Sequence, residues 1–233
     1  MPSPAPIGFI VPIALAQVME RLAPEFTRET GHRFAIVHRL NPEVPDHIAS
    51  GAVWDIALTN PWHVEEIIAA RQAGTGSHRP FGRSPLALAR HGARPGPALF
   101  TDENIAAALL SANRIAITGT GTSGEKFRTL TEALGIRYDI EHRIVRMAGG
   151  GPMKALLTGE VDMAALPLTN IAPVPGVFAA AVCPSALGVH IDLSLCLSTT
   201  ASRAARDFAA WLIDPARDVR LEQLGASRFQ LPT

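Results

Sequence analysis

The chain has 233 residues, 47% of them hydrophobic, and its 21 Lys and Arg balance 21 Asp and Glu. That length and apolar fraction suffice for one large core or two modest ones and exclude a disordered chain. With no block of five like charges, the sequence offers no electrostatic footprint for a nucleic-acid backbone or an anionic membrane, so neither is an expected partner and a small ligand is.

Residues 7–11 read as a buried strand, and 13–30 as a helix in which Leu15, Val18, Met19, Leu22 and Phe26 recur at three and four. Gly31 follows, in the place favoured for a left-handed residue after a helix. Residues 34–40 form a second predicted strand, 45–50 a short helix closed by Gly51, 55–59 a third strand and 61–71 a helix with Pro61 at its start. From 74 to 97 the composition shifts to Gly, Pro, Arg and His around the apolar run 86–89, which suggests a crossing between lobes. Alternation then resumes with helix 102–111, strand 114–118, helix 123–134, strand 142–146, helix 152–157 and strand 162–166. Apolar runs at 177–182 and 191–197 and helical segments at 201–213 and 215–224 complete the chain. Such alternation predicts α/β architecture with functional loops at the carboxyl ends of parallel strands.

Cys183 and Cys196 match no metal or redox spacing and read as buried apolar residues, and the eight histidines form no zinc motif, so neither a metal nor a cofactor is expected. No stretch reaches the ~18–20 apolar residues of a membrane span. The apolar N-terminal stretch lacks a basic residue before it, so the expectation is a cytoplasmic protein, or a periplasmic one whose signal was removed.

The stretch RIAITGTGTSGEKFRTL, 114–130, passes from a strand through Gly119, Gly121 and Gly124 into a helix. It satisfies G-x-G-x-x-G, and Asp139 and Glu141 lie about 20 residues beyond, as a dinucleotide fingerprint requires. It sits mid-chain, however, and Asp139 does not end a strand, so a more general anion cradle of backbone N–H groups at a helix N-terminus is preferred. Thr120, Thr122 and Ser123 add hydroxyls. Gly149, Gly150 and Gly151 precede Pro152 in a second strand, glycine loop and helix start.

Four stretches carry a resemblance: LAQVMERLAPEFTRETGHRFAIV, HIASGAVWDIALTNPWHVEEI, GTGTSGEKFRTLTEALGI, and LLTGEVDMAALPLTNIAPVPGV with its tail SRAARDFAAWLIDPARDVRLEQLGASR. In order and spacing they resemble the class II periplasmic solute-binding proteins, and within them the molybdate-binding-protein-like group. The resemblance implies a two-lobed type II fold of α/β lobes with parallel or mixed sheets and a ligand cleft between them. Lobe one would be 1–82 plus 190–233, and lobe two 83–189, with the glycine loops as its anion loops. The group's oxyanion binders place a serine where this chain has Pro12-Ile13-Ala14, a Gly-Ser-Ser-Gly-like turn where it has Arg39-Leu40-Asn41-Pro42, and a tyrosine near Pro167. Loss of these hydroxyls argues against molybdate, tungstate and sulfate, while Arg39 and Asn41 offer donors suited to a carboxylate.

The expected ligand-binding set is therefore Ile13, Arg39, Asn41, Asn60, Thr122, Ser123, Gly124, Gly150, Gly151 and Pro167. The reading is a receptor for a small organic anion that would serve an ABC permease if exported. The alternative is an isomerase on the same scaffold that shifts a double bond in an unsaturated di- or tricarboxylate. In it His38 or His63 would be the base and Arg39 would stabilise enolate charge.

Overall fold

The computed structural model describes residues 5–93 and 96–231. In chain order, β1 (Ile7–Pro12) leads through a 3-10 turn, Ile13–Leu15, into α1 (Ala16–Thr30). Gly31 closes α1 at φ 77°, its N–H donating to the Thr27 carbonyl at 2.8 Å. Then come β2 (Phe34–Arg39), α2 (Val44–Ala49), β3 (Ile56–Thr59), α3 (Pro61–Ala69) and β4 (Arg79–His91). Next are α4 (Asp102–Ser111), β5 (Ile115–Thr118), α5 (Thr122–Ala133), α6 (Arg137–Ile140), β6 (Ile144–Met147) and α7 (Gly151–Leu157). The chain continues with β7 (Met163–Pro167), β8 (Val177–Val182), β9 (His190–Leu197), α8 (Arg203–Ile213) and α9 (Asp218–Gln223).

Three expectations are corrected. The stretch read as a crossing with one apolar run holds a 13-residue strand, β4, although Pro80, Gly82, Arg83 and Pro85 lie within it. Its alternation of buried Phe81 with half-buried Pro80 and Arg83 was hidden by those residue types. The strand expected at 142 starts at Ile144, because Glu141–Arg143 make a 3-10 turn. The four-residue α6 is too short to leave a periodic signal and was not anticipated.

The chain divides into two compact units. Unit 1 takes the chain up to Arg83, Asp192–Glu222, and everything from Ser227 on; unit 2 takes Ser84–Ile191 and Gln223–Ala226.

In unit 1 the strands run in the order β2-β1-β3-β9, with β1 parallel to both neighbours and β9 antiparallel to β3. Phe9, Phe26, Phe34 and Phe208 form an aromatic cluster under α1 and α8, with Phe34 and Phe208 ring centroids 4.6 Å apart. Ile10, Val44, Ala57, Val64, Ile67 and Cys196 make a second cluster beneath α2 and α3. Truncating one such large side chain to alanine costs about 2–5 kcal/mol. The last segment is fixed by Arg228, which donates to the Asp218 carboxylate at 2.7 Å and to the Phe81 and Leu212 carbonyls. A bidentate pair joins Arg83 to Asp192 at 2.6 and 2.8 Å, and this hydrogen bonding raises the arginine's pKa further.

In unit 2 the order is β4-β7-β5-β6, with β8 also on β4. β5 is parallel to β6 and β7, and β4 is antiparallel to β7 and β8. One cluster is built from large residues, among them Leu86, Leu109, Ile115, Phe127, Leu130 and Ile140. The other is rich in alanine, with Ala87, Ala89, Ala116 and Ala164 beside Ala155 and Leu156 of α7. Small side chains let that short helix approach the strands closely. No helix among the described residues is long and apolar enough to cross a membrane, and none of their His, Cys, Asp and Glu side chains gather in a group that could hold a metal.

Candidate functional site

In unit 1 the three parallel strands end side by side. Pro12 pairs with Arg39, and Ile10 with Ala57, so two residues further on Pro12 lies level with Thr59. Ligands of open α/β sheets are received at such carboxyl ends. The turn after β1 starts at Ile13 with no capping side chain. After β2, Arg39 is half-buried and donates to the His38 carbonyl at 2.8 Å, and its other terminal nitrogen lies 3.4 Å from His47 Nδ1. Asn41 is 5% exposed, and its carbonyl accepts from the Thr59 hydroxyl at 3.0 Å. Its side-chain Oδ1 is buried with no hydrogen-bond partner among the described residues. An orphaned buried acceptor of this kind costs about 1–3 kcal/mol, and since an anion has only acceptors to offer, the amide Nδ2 of Asn41 is the atom that could bond one.

After β3, Asn60 precedes α3 but does not cap it; its Nδ2 donates instead to the Asp192 carbonyl at 2.8 Å. His63 opens α3 with its Nδ1 2.8 Å from Glu66 Oε2, and exposed Trp62 leans on the His63 ring. His38 is exposed on β2, the outermost strand of its unit, and the rings of His38 and His63 share no contact. One buried polar residue is not signalled by the strand pattern. Ser194 of β9 is fully buried, stands directly opposite Thr59, and has an Oγ without a hydrogen-bond partner among the described residues. A lone serine inside the apolar run 191–197 was the available signal.

Unit 2 repeats the arrangement with other means. Thr118 pairs with Met147, and the Gly119 N–H donates to the Met147 carbonyl at 2.9 Å, so the two glycine loops leave adjacent strands side by side. α5 begins after Gly121, and no side chain caps it. Thr122 is buried and Ser123 half-buried in that first turn. The glycines have different jobs. A Cβ on Gly124 would stand 2.0 Å from the Thr118 carbonyl oxygen, so this glycine exists to let the helix lie on its own strand. Its N–H is spent on Gly121 O at 2.9 Å. A Cβ on Gly151 would stand 2.9 Å from Met147 Cβ, and its N–H is spent on Ala148 O at 2.9 Å. A side chain at Gly150, by contrast, would meet nothing within 4 Å.

Pro167 ends β7 opposite Leu86. Just beyond it the buried Thr169 N–H donates to Ser84 Oγ at 3.1 Å, and that hydroxyl donates to Gly225 O at 3.1 Å. Gly225 lies at φ 87° against the Leu168 backbone, where a Cβ would come within 2.7 Å.

Parallel strands ending in uncapped turns, with polar side chains buried at the strand ends, define α/β units that receive a ligand at their loops. The family model described as bacterial extracellular solute-binding protein matches residues 7–225, and the chain belongs to that family. The fold is that of the type II, molybdate-binding-like proteins. It is similar to the periplasmic molybdate-binding protein of Azotobacter vinelandii, with a TM-score of 0.79 at 19% identity, covering 97% of this chain and 100% of that one. The sulfate-binding protein SubI of Mycobacterium tuberculosis H37Rv gives 0.70 at 13% identity, covering 96% and 86%. Peb3 of Campylobacter jejuni with L-phospholactate bound gives 0.69 at 13% identity, covering 96% and 100%. No curated protein sequence matches the chain.

Proposed function

We propose that the chain is a receptor for a small anion, and that the anion is an organic acid bearing a carboxylate. The observation that carries the reading is the start of α5. It is an uncapped helix N-terminus at the carboxyl end of a parallel strand, with the second glycine loop bonded alongside through Gly119 and Met147. The positive end of the helix dipole and the backbone N–H groups of the first turn favour negative charge there. In unit 2, Thr122, Ser123 and Gly150 would supply backbone and hydroxyl donors; unit 1, taken by itself, would offer side-chain donors at Arg39 and Asn41. Molybdate and sulfate in the names of two structural neighbours support an anion. The carboxylate rests on Ile13 standing where the group's serine is expected, on Arg39 and Asn41, and on L-phospholactate, which carries a carboxylate beside its phosphate ester. Delivery to an ABC permease is the role this reading gives an exported form.

An isomerase would need His38 or His63 as its base. His38 is exposed on the outermost strand of its unit and His63 Nδ1 is bonded to Glu66, so no observation favours that chemistry.

A thermal-shift panel of molybdate, sulfate, phosphate, phospholactate and di- and tricarboxylates tests the proposal. A ligand at one hundred times its Kd adds about 2.7 kcal/mol, a rise of several degrees in Tm. Stabilisation by an organic acid is expected. Stabilisation by molybdate with none from any carboxylate would overturn the ligand class, and silence across the panel would overturn anion binding.

A further inference from the structure

Unit 2 contains a cavity of about 140 Å³ on the flank of α5, and the Thr122 and Ser123 turn does not line it. The volume is well above the roughly 10–15 Å³ that one water needs. It arises from one residue that breaks the strand pattern. Ile117 of β5 stands opposite Arg146 of β6 in a parallel pair, so the two side chains share a face of the sheet. Ile117 belongs to the apolar cluster of Phe127 and Leu130, yet the neighbouring strand places a guanidinium at the same level. The apolar layer therefore stops there and a polar hollow opens. Gly119 forms part of its lining, and a Cβ there would make only ordinary contact with Arg146 Cβ at 3.6 Å. Backbone sterics do not demand this glycine, and its bare α-carbon leaves the hollow unfilled.

Three arginines and two glutamates line the hollow: Arg128, Arg137, Arg146, Glu125 and Glu141. Arg146 is held by Glu141 at 2.7 Å, and Arg137 by Glu132, which lies outside the lining. Arg128 makes no ion pair with any described residue, so of the three arginines it is the one whose guanidinium is not engaged by a carboxylate. We propose that the hollow is a second binding site, on the other side of the loop from the Thr122 and Ser123 turn and sharing only Gly119 and Gly124 with the glycine cradle, for a small oxyanion, either phosphate or a short carboxylate. Arg128 would supply its free fork and Arg146 a second cation, because guanidinium geometry matches both anions in bidentate fashion.

Amide NMR shifts followed during titration with sodium phosphate, and separately with sodium acetate, at fixed ionic strength test this. Saturable shifts at Gly119, Glu125, Arg128 and Arg146 are expected with at least one of the two. Arg128→Gln should weaken that binding about tenfold or more, since a hydrogen bond to a charged group is worth about 1.5–3 kcal/mol. Because Arg128 is exposed, its melting temperature should not change. Linear shifts without saturation, or an affinity unchanged in Arg128→Gln, would overturn the site. Failure of the glycine cradle reads out separately, as missing shifts at Thr122 and Ser123 with the organic acids of the melting panel.

Discussion

The strand-end loops of unit 1 offer side chains, and those of unit 2 offer backbone. After β2 and β3 the polar groups belong to Arg39, Asn41, Thr59 and Asn60. After β5 and β6 the chain uses glycine-led turns at Gly119 to Gly121 and Gly149 to Gly151, and uncapped starts to α5 and α7. Backbone donors come fixed with the fold, so changing them means changing how helices sit on strands. Side-chain donors can be exchanged with the strands left in place. The donors of unit 2 are therefore the harder set to change, and those of unit 1 the easier.

The sharpest way to break this comparison is at two glycines of unit 2. Gly124→Ala puts a methyl 2.0 Å from the Thr118 carbonyl oxygen, so α5 must lift from β5 and take Phe127 and Leu130 with it. A loss of about 3 kcal/mol or more is expected in urea unfolding, at the upper end for overpacking. Gly150→Ala meets open space at an ordinary φ of −79°, so it should be neutral or stabilise by about 0.4–1 kcal/mol. If the glycine is there for ligand approach, the same variant should weaken anion binding. Equal losses of stability at both glycines would show that neither loop separates packing from binding.

This division of labour among glycines was not legible in the sequence, and the reason is non-local. The spacing of Gly119, Gly121 and Gly124 announces a tight turn into a helix, and that turn is present. Which glycine touches a strand depends on where the helix comes to rest, and Gly124 proves to serve packing. The apolar strands were readable because burial on both faces leaves short runs such as IALT and IAIT. β4 was not, because its proline, glycine and arginine residues imitate a loop. The commitments of Arg39 to His38 O and of His63 to Glu66 are side-chain choices that periodicity does not encode. Ser194 needed its partner Thr59, 135 residues away in sequence, before its lone hydroxyl drew notice.

Asn41 sharpens the unit 1 side at smaller cost. Its carbonyl keeps the bond from Thr59 in any variant, while its buried Oδ1 has no partner among the described residues. Asn41→Ala removes that orphan acceptor and leaves a small void, two effects of about 1–2 kcal/mol and opposite sign. Melting temperature should therefore move little, and affinity for the stabilising anion should fall about tenfold if a charge-assisted bond is lost. A large fall in stability with unchanged affinity would mean that Asn41 is a structural residue and that unit 1 does not select the ligand through it.

The smallest effect compares the two units through their cysteines. Cys183 lies in unit 2 and Cys196 in unit 1, and both are buried. Burial pushes each thiol up to about 12, with Asp102 adding to the effect at Cys183. The thiolate is the reactive form, so an alkylating reagent at pH 7 should modify neither side chain until its surroundings open. Cys196 sits within β9 opposite Ala57, packed in the cluster with Val64 and Ile67. Cys183 follows β8, which pairs with β4 across a register shift between Leu88 and Ala89 and is bridged on its other side by Leu99, whose N–H donates to the Ala180 carbonyl and whose carbonyl accepts from the Val182 N–H. A strand whose one ladder is broken by a register shift and whose other side is held by a single bridge opens more cheaply than one in a packed interior. Labelling in sub-denaturing urea should reach Cys183 first, with an opening free energy below that of global unfolding, and mass spectrometry of the peptides would resolve the two sites. Simultaneous labelling at the global unfolding rate would show that the two units open as one and that the comparison between them ends at their loops.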